Sequence, residues 1–323
     1  MTEPQDNKAK CKQALECWFL TGATASGKTQ VSLELAKSLD AEIISLDSMA
    51  IYREMDIGTA KPTPEQCATV PHHLINIVDP SESFSVSQFR ESALEKITEI
   101  RGRGKEVLFV GGTALYLKAL LRGMFEGPPA DWDFRNEIKA EIAEMGNEFL
   151  HQRLEMIDPV AAHNLHPNDH RRIIRALEVY KSTGKPISHW QMEFDDGHTV
   201  DQCRVFTIRH DRAILHERIE SRVDQMFEAG LIEEARMLKE KWKDLGKTAS
   251  QAVGYRESFD FLENGVDMET TVEKVRIRTR KFARHQETWF RGLSECRIID
   301  LDSDFEIPQL VQQILEFGNA VET

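Results

Sequence analysis

Residues 22 to 29 read Gly22-Ala23-Thr24-Ala25-Ser26-Gly27-Lys28-Thr29, which fits the phosphate-loop pattern G-x-x-x-x-G-K-[ST] at every fixed position. Glycines let the backbone curl so that successive N–H groups point inward at phosphate oxygens. Lys28 adds a mobile positive charge, and Thr29 can offer its hydroxyl to a Mg2+ ion. The context fits as well. Trp18-Phe19-Leu20-Thr21 is a short apolar strand ending at the loop, and Val31, Leu33, Leu35, Ala36 and Leu39 follow with mixed helical spacing. A helix there points the positive end of its dipole at the same anion. The motif calls for a polyphosphate and leaves open which one. An ordinary Gly-rich turn is the plain alternative.

Outward from the loop, strand and helix keep alternating. Residues 41–46 (AEIISL) predict a second strand, closed by Asp47-Ser48. Residues 73–78 (HLINIV) predict a third strand, and 85–101 a helix with Phe89, Leu94, Ile97 and Ile100 near one face. Residues 106–110 (EVLFV) predict a buried strand running into Gly111-Gly112-Thr113, followed by a helix over 114–121. Such alternation predicts a parallel sheet with helices on both faces, and ligands collect at the carboxyl ends of its strands. Gly22, Asp47 and Gly111 each follow a strand end and should meet in one crevice. The fold class is therefore α/β: a P-loop NTPase-like parallel sheet flanked by helices.

Gly127-Pro128-Pro129 breaks the pattern, and short amphipathic helices follow to about residue 200, with a turn at Asp195-Asp196-Gly197. Residues 203–209 (CRVFTIR) restore a strand. The division expected is 13–124 for the first part of the core, 125–200 for a helical insertion, and 201–323 for completion of the core with basic C-terminal helices. Met1 to Lys12 is polar, lacks the apolar core of a signal peptide, and reads as a frayed tail.

The 323 residues are 29% charged and 41% hydrophobic, ordinary for an enzyme, and no apolar run approaches a membrane span. Five scattered cysteines without a C-x-x-C pair argue against a zinc site or disulfide framework and for a reducing cytoplasm. The net charge of -13 argues against a nucleic-acid partner if taken as a whole. Two local stripes oppose it. One is His170-Arg171-Arg172-Ile173-Ile174-Arg175. The other holds Lys274, Arg276, Arg278, Arg280, Lys281, Arg284 and Arg291 against a single acid, Glu287. Compensating acids at i,i+4 are mostly missing, so repulsion along the second helix would stand unrelieved, and an anionic partner is expected.

Candidate catalytic groups gather near the loop. Asp47 at its strand end could help hold Mg2+ or accept a proton from a nucleophile; a turn-forming Asp is the plain alternative. Thr113 follows two glycines that bring backbone close to a ligand, although a tight turn explains the glycines equally well. Arg218 and Arg222 share one helix face and could neutralise a leaving diphosphate, or could pair with Glu217 or Glu220 at the surface. Gln251-Ala252-Val253-Gly254-Tyr255-Arg256 joins a flexible glycine, an aromatic and a cation, a combination able to stack on and clamp a nucleotide.

Several segments in order carry a family resemblance: GATASGKT, SLDSMAIYREMDIGTAKPTPEQ, VPHHLINIVDPSESFSVSQF, VGGTALYLKALLRG, HPNDHRRIIRALEVY, QAVGYRE and TRKFARHQETWFRG. From about residue 17 to about 292 the chain resembles the tRNA dimethylallyltransferases, or tRNA isopentenyltransferases. The segment from Asp47 to Pro62 is far more specific than the phosphate loop. The resemblance implies transfer of a dimethylallyl group from dimethylallyl diphosphate to the exocyclic amine of the adenosine 3′ to the anticodon, in tRNAs reading codons that begin with U. It implies that Gly22 to Thr29 cradle a prenyl diphosphate, that Asp47 is the general base, and that Arg222 binds diphosphate. Catalytic roles thus fall to Asp47, Thr113 and Arg222. Contacts with the tRNA anticodon stem-loop are implied for Asp47, Ser48, Met49, Ala50, Thr113, Arg135, Arg171, Arg172, Arg175, Gln251, Gly254, Tyr255, Arg256, Arg280, Lys281, Arg284 and Gln286. The insertion becomes a lid over that stem-loop. Ala23 stands where proline is common, and the chain lacks a C-terminal Cys/His zinc finger, favouring a bacterial-type short form.

Two other readings compete. A P-loop kinase, or an isopentenyltransferase acting on free adenine nucleotides, keeps the loop and Asp47 but has no use for the stripes or the insertion. An RNA-binding chaperone needs the stripes but not an intact Lys28, Thr29 and Asp47. Mg2+ is the expected cofactor, the cytoplasm the expected compartment, and neither a membrane nor a protein partner is called for.

Overall fold

In the computed structural model, residues 4–125, 127–194, 197–302 and 304–321 are described. The chain divides into two compact units: Arg122–Gly197, together with the start of the chain to Asn7, and Lys8–Leu121 with His198–Thr323.

The larger unit is built on one sheet. Its first part runs α1 (Pro4–Leu15, of which the residues from Lys8 belong to this unit), β1 (Trp18–Gly22), α2 (Lys28–Leu39), β2 (Ala41–Ser45), α3 (Pro64–Thr69), β3 (His72–His73), α4 (Val86–Gly102), β4 (Glu106–Gly111) and α5 (Ala114–Leu121). Its second part runs β5 (Arg204–His210), α11 (Arg212–Glu228), α12 (Leu231–Lys241), α13 (Tyr255–Asn264), α14 (Met268–Arg291), β6 (Cys296–Leu301) and α15 (Ile307–Asn319). All strand pairs are parallel, in the order β3-β2-β4-β1-β5-β6. The expected α/β sheet is thus present.

Period-2 alternation sends neighbouring side chains to opposite faces. Phe19, Ile44, Phe109 and Val205 join α4, α5 and α14 on one side, through Phe89, Ile97, Leu117 and Phe290. Trp18, Leu20, Ile43, Leu108 and Phe206 join α2 and α15 on the other, through Val31, Leu35, Val311 and Ile314. Covering both faces makes the central strands continuously apolar. Phe19 and Phe109, paired in register, stack at 4.8 Å.

Two expectations fail here. The stretch 73–78 is not a strand beyond His73: Leu74 (φ 58°) and Asn76 (φ 55°) are left-handed. The segment after Asp47 returns instead, with Ile77 N–H on the Ile51 carbonyl at 2.8 Å and Arg53 N–H on that of Val78 at 2.9 Å. A single bridge, Tyr52 to Val78, is what remains of the ladder. The N-terminal residues from Pro4 are not frayed but helical, because Ala14 and Cys11 are buried in the core and Gln13 hydrogen-bonds Thr98 at 2.8 Å.

The smaller unit is helical: α6 (Trp132–Met145), α7 (Asn147–Ile157), α8 (Pro159–Asn164), α9 (His170–Thr183) and α10 (Ile187–Gln191). Asp131, Asp158 and Asp169 cap three of these starts, and Gly184, left-handed at φ 69°, ends α9. Phe134, Ile138, Leu150, Leu154, Ile173 and Leu177 form its core. The turn expected at Asp195-Asp196 lies outside the described residues.

Glu178, fully buried, is the polar centre of this unit. It accepts from Arg135 Nε and Nη2, both at 2.8 Å, from the Asp131 N–H at 2.7 Å, and from Arg175. Burial pushes its carboxyl pKa up, but those hydrogen bonds outweigh burial and hold it below the ordinary value. A depressed carboxylate contributes stability above its unfolded pKa, about 4.3, and loses it as pH falls through the lower folded value. Glu178→Ala should cost about 3 kcal/mol, the low end for breaking a buried ion pair because both arginines reach solvent. Thermal melts should show the loss near neutral pH and a shrinking difference from wild type below about pH 4.

Candidate active site

The phosphate loop leaves β1 at Gly22, whose φ of 147° and missing Cβ are both required: a Cβ would lie 2.5 Å from the Ile208 carbonyl oxygen. Gly27, φ 91°, caps α2, which begins at Lys28. Between them Ala25 is left-handed at φ 62°. Side chains from three elements hold this loop. Arg218 Nε donates to the Ala25 carbonyl at 2.8 Å, and His210 Nε2 lies 3.0 Å from that of Ser26, which requires the tautomer with hydrogen on Nε2. Gln286 Oε1 accepts the Thr24 N–H at 2.8 Å. Ala23 and Ala25 pack against Leu215, Ile219, Val275 and Ala283, so α11 and α14 wall the loop.

Lys28 Nζ folds onto the loop itself, donating to the carbonyls of Gly22 (2.9 Å) and Ala23 (2.6 Å) and to Ser26 Oγ at 3.3 Å. Its pKa is lowered to about 7, first by burial and then by the Arg222 guanidinium, with Asp47 opposing. Arg222 is itself lowered by burial, again with Asp47 opposing. Lys28, Arg222 and Asp47 therefore share one electrostatic neighbourhood. Thr29 is exposed at the start of α2.

Asp47 is positioned by backbone. Leu46 N–H bonds the Val110 carbonyl at 2.8 Å, and the Thr113 N–H bonds that of Leu46 at 3.1 Å. Thr113 Oγ1 then accepts the Ser48 N–H at 3.1 Å. Asp47 Oδ1 accepts the N–H groups of Met49 (2.7 Å) and Ala50 (3.3 Å) in an Asx turn. Among the described residues nothing hydrogen-bonds Oδ2. The two glycines of β4's end are steric necessities: a Cβ on Gly111 would lie 2.2 Å from the Leu46 oxygen, and one on Gly112 2.2 Å from Gln286 Nε2.

The segment after Asp47 is clamped from α12. Glu234 accepts N–H groups of Asp56 (3.0 Å), Ile57 (2.9 Å) and Gly58 (3.3 Å), and the Tyr255 hydroxyl at 2.5 Å. Tyr255 is fully buried, so it cannot stack on a nucleotide as its sequence neighbourhood suggested; Gly254 is buried with it, while Gln251 and Arg256 are exposed.

The basic stripe of α14 is not unrelieved. Most of its acids come from neighbouring helices: Arg276 pairs with Asp224 at 2.5 Å, Arg280 with Glu220 at 2.7 Å, Lys274 with Asp260 at 3.2 Å, and Arg278 with Glu257, while Glu273 of α14 itself pairs with Arg280 at 2.9 Å and Arg276 at 3.5 Å. Glu220 is thereby used by Arg280 and not by the arginines of its own helix. Lys281 and Arg284 are exposed and make no ion pair among the described residues. With Arg212 and Arg291 they line a cleft of about 580 Å³ that reaches the loop at Ala23, Glu287 being the one acid on its wall among the described residues. Burial raises the Glu287 carboxyl pKa, with Arg209 and Arg291 working against it.

The larger unit thus brings together Gly22 to Thr29, Asp47 to Ala50, Thr113, Arg222 and Gln286. In the smaller unit, Arg135 and Arg175 are committed to Glu178, whereas Arg171 and Arg172 are exposed on α9. Sequence reasoning missed His210, Glu234 and the internal role of Gln286. The last had a signal: Gln286 continues the stripe Val275, Thr279, Ala283, Phe290 on the buried side of α14, and a buried amide needs partners.

With this geometry in place, comparison with known proteins decides the family. The family model for IPP transferase matches residues 50–293. The chain belongs to the IPP transferase family. It is 46% identical over 308 residues to the tRNA dimethylallyltransferase of Rhodopirellula baltica, covering 92% of each chain. It is 41% identical over 300 residues to that of Geobacillus kaustophilus, covering 92% of this chain and 94% of the relative. Among solved structures it resembles the full-length tRNA isopentenylpyrophosphate transferase of Bacillus halodurans, at 40% identity, TM-score 0.66, and coverage of 94% and 96%. A eukaryotic dimethylallyltransferase acting on tRNA is 27% identical with TM-score 0.71, covering 88% of this chain and 73% of that one.

A polyanion brought against the Lys28 ammonium would favour its charged form and so raise its pKa. Binding of inorganic diphosphate should therefore take up a proton above about pH 7, and affinity should weaken by up to about tenfold per pH unit there. Calorimetry in buffers of different ionisation enthalpy measures this, and Lys28→Met should abolish the uptake.

Proposed function

We propose that the chain is a tRNA dimethylallyltransferase, moving the dimethylallyl group of dimethylallyl diphosphate onto the exocyclic amine of the adenosine 3′ to the anticodon, in tRNAs that read codons beginning with U. The observation that carries the reading is Asp47, held at a strand end with Oδ2 accepting no hydrogen bond among the described residues, in the same electrostatic neighbourhood as Lys28 of the phosphate loop and Arg222 of α11, in a chain of this family.

The chemistry follows from those groups. The allylic carbon–oxygen bond breaks and its electron pair leaves on diphosphate. Lys28, the loop N–H groups and Arg222 take up that charge, so catalysis is mainly positioning and electrostatic stabilisation. Lys28 must leave the carbonyls of Gly22 and Ala23 to reach the phosphates. The amine lone pair forms the new carbon–nitrogen bond. That lone pair is delocalised into adenine, which makes the amine a weak nucleophile, and Asp47 accepts its proton. The adenine leaves the anticodon-loop stack at a cost of a few kcal/mol. Thr113, bonded to Ser48, keeps the Asp47 turn in place.

A Mg2+ ion bound here would neutralise further charge on the diphosphate. Among the described residues no group of three His, Cys, Asp or Glu could hold a metal by itself. The exposed Thr29 hydroxyl suits such an ion, whose remaining ligands would be phosphate oxygens and water. Lys281 and Arg284, and in the smaller unit Arg171 and Arg172, suit phosphate contacts with tRNA. No helix among the described residues is long and apolar enough to cross a membrane, and all five cysteines are free thiols. We place the enzyme in the cytoplasm, working without a protein partner.

Labelled dimethylallyl diphosphate should transfer its prenyl group to tRNA carrying adenosines 3′ to the anticodon. Labelled ATP consumed in its place would refute the reading. Asp47→Ala should lower kcat by about 10²–10⁴-fold while tRNA affinity stays near wild type. Normal turnover in that variant removes Asp47 as the base.

A further inference from the structure

Gln286 sits where the two halves of the site meet. It is 8% exposed, on the side of α14 that also buries Thr279, Ala283 and Phe290. Its amide is used at both ends. Oε1 accepts the Thr24 N–H at 2.8 Å, and Nε2 donates to the Gly112 carbonyl at 2.8 Å. Thr24 belongs to the loop that would hold diphosphate. Gly112 precedes Thr113, whose hydroxyl holds the Ser48 N–H beside Asp47. Gly112 is also the residue whose lack of a Cβ gives this amide room.

A side chain so placed has little to offer a base edge or a phosphate, because it is buried and its amide is bonded at each end within the protein. It does set a distance. One rigid amide spans from the phosphate loop to the turn carrying Asp47's neighbours, and it is mounted on the helix whose other side exposes Lys281 and Arg284. It also diverts the Thr24 N–H away from any bound anion, so the cradle must use the other loop donors.

We propose that Gln286 is a positioning residue, not a tRNA contact: it fixes the conformation of the phosphate loop relative to the Asp47–Thr113 turn. The proposal rests on the prenyl-transfer reading above, because only there do the two halves hold donor and acceptor of one reaction. Its clearest consequence concerns the donor. Loosening the amide should free the loop to sample conformations that no longer converge on diphosphate, while the exposed cations of α14 stay in place.

The variants are Gln286→Met, close in length but without hydrogen bonds, and Gln286→Glu, which still accepts from Thr24 but sets a carboxylate oxygen against the Gly112 carbonyl. For Gln286→Met we expect KM for dimethylallyl diphosphate to rise about tenfold, with Kd for unmodified tRNA within about twofold of wild type. Gln286→Glu should raise KM further. Tenfold weaker tRNA binding with unchanged KM would overturn the proposal and make Gln286 a tRNA contact. Equal losses in both, tracking a lowered Tm, would also overturn it, as the mark of a merely structural residue. If the α14 variants fail to fold, Gly112→Ala displaces the same amide without altering α14, and wild-type KM in it refutes the idea. Calorimetry of inorganic diphosphate on wild type and Gln286→Met separates the two readings. A wild type that transfers no prenyl group defeats the function, whereas unchanged diphosphate affinity in the variant defeats only the role of Gln286.

Discussion

The close approach of β4's end to Leu46 is the constraint on which the site depends. Parallel strands bring their carboxyl ends to one edge, but pairing alone leaves the residues just beyond each strand free. Here the Leu46 carbonyl accepts the Thr113 N–H, and the backbone of Gly111 lies so near that a Cβ would overlap it. Asp47 follows at once and cannot drift. The phosphate loop, on β1 across β4 from Asp47, is held from the other side by Gln286, His210 and Arg218. The distance between acid and loop is thus set by the sheet and by buried polar contacts, and not by exposed loops that would sample many conformations.

Electrostatics then shapes what that frame holds. Two cations, Lys28 and Arg222, are brought together at one site; burial lowers the pKa of each, and Arg222 lowers that of Lys28 further. Asp47 offsets part of this repulsion, and so do the carbonyls that Lys28 touches. A site of this kind favours a polyanion because binding relieves what folding concentrates. The same logic explains why burial does not simply disable these residues: the field they make is worth more in a medium of low polarisability than in water.

Much of the fold was legible because its signals were local. The phosphate loop and the alternating strands around it are each written in a few adjacent residues. The errors arose where distant chain decided the outcome. Residues 73–78 have strand composition, yet the backbone after Asp47 takes their hydrogen bonds and two of them turn left-handed. The N-terminal helix reads as polar, and only its burial of Ala14 and Cys11 against the core orders it. Tyr255 looks like a stacking residue until Glu234, twenty-one positions earlier, is seen to take its hydroxyl. The candidate site was legible in its acid and its loop but not in its bracing, because a brace is defined by what it touches across the fold.

The charge pattern of α14 shows how an acidic chain can still present cations to an anionic partner. Counting only i,i+4 neighbours leaves the helix overloaded. Across the fold, Asp224, Glu220, Asp260 and Glu257 neutralise its first half from α11 and α13. Those pairs add little stability each where they are exposed. Their larger effect is to decide which cations remain uncompensated. Lys281 and Arg284, beyond the reach of those acids, are exposed within about a turn and a half of the residue that braces the phosphate loop. The positive potential is therefore narrow and placed beside the reacting groups. The whole chain carries a net charge of -13 despite these cations, so the remaining surface repels polyanions.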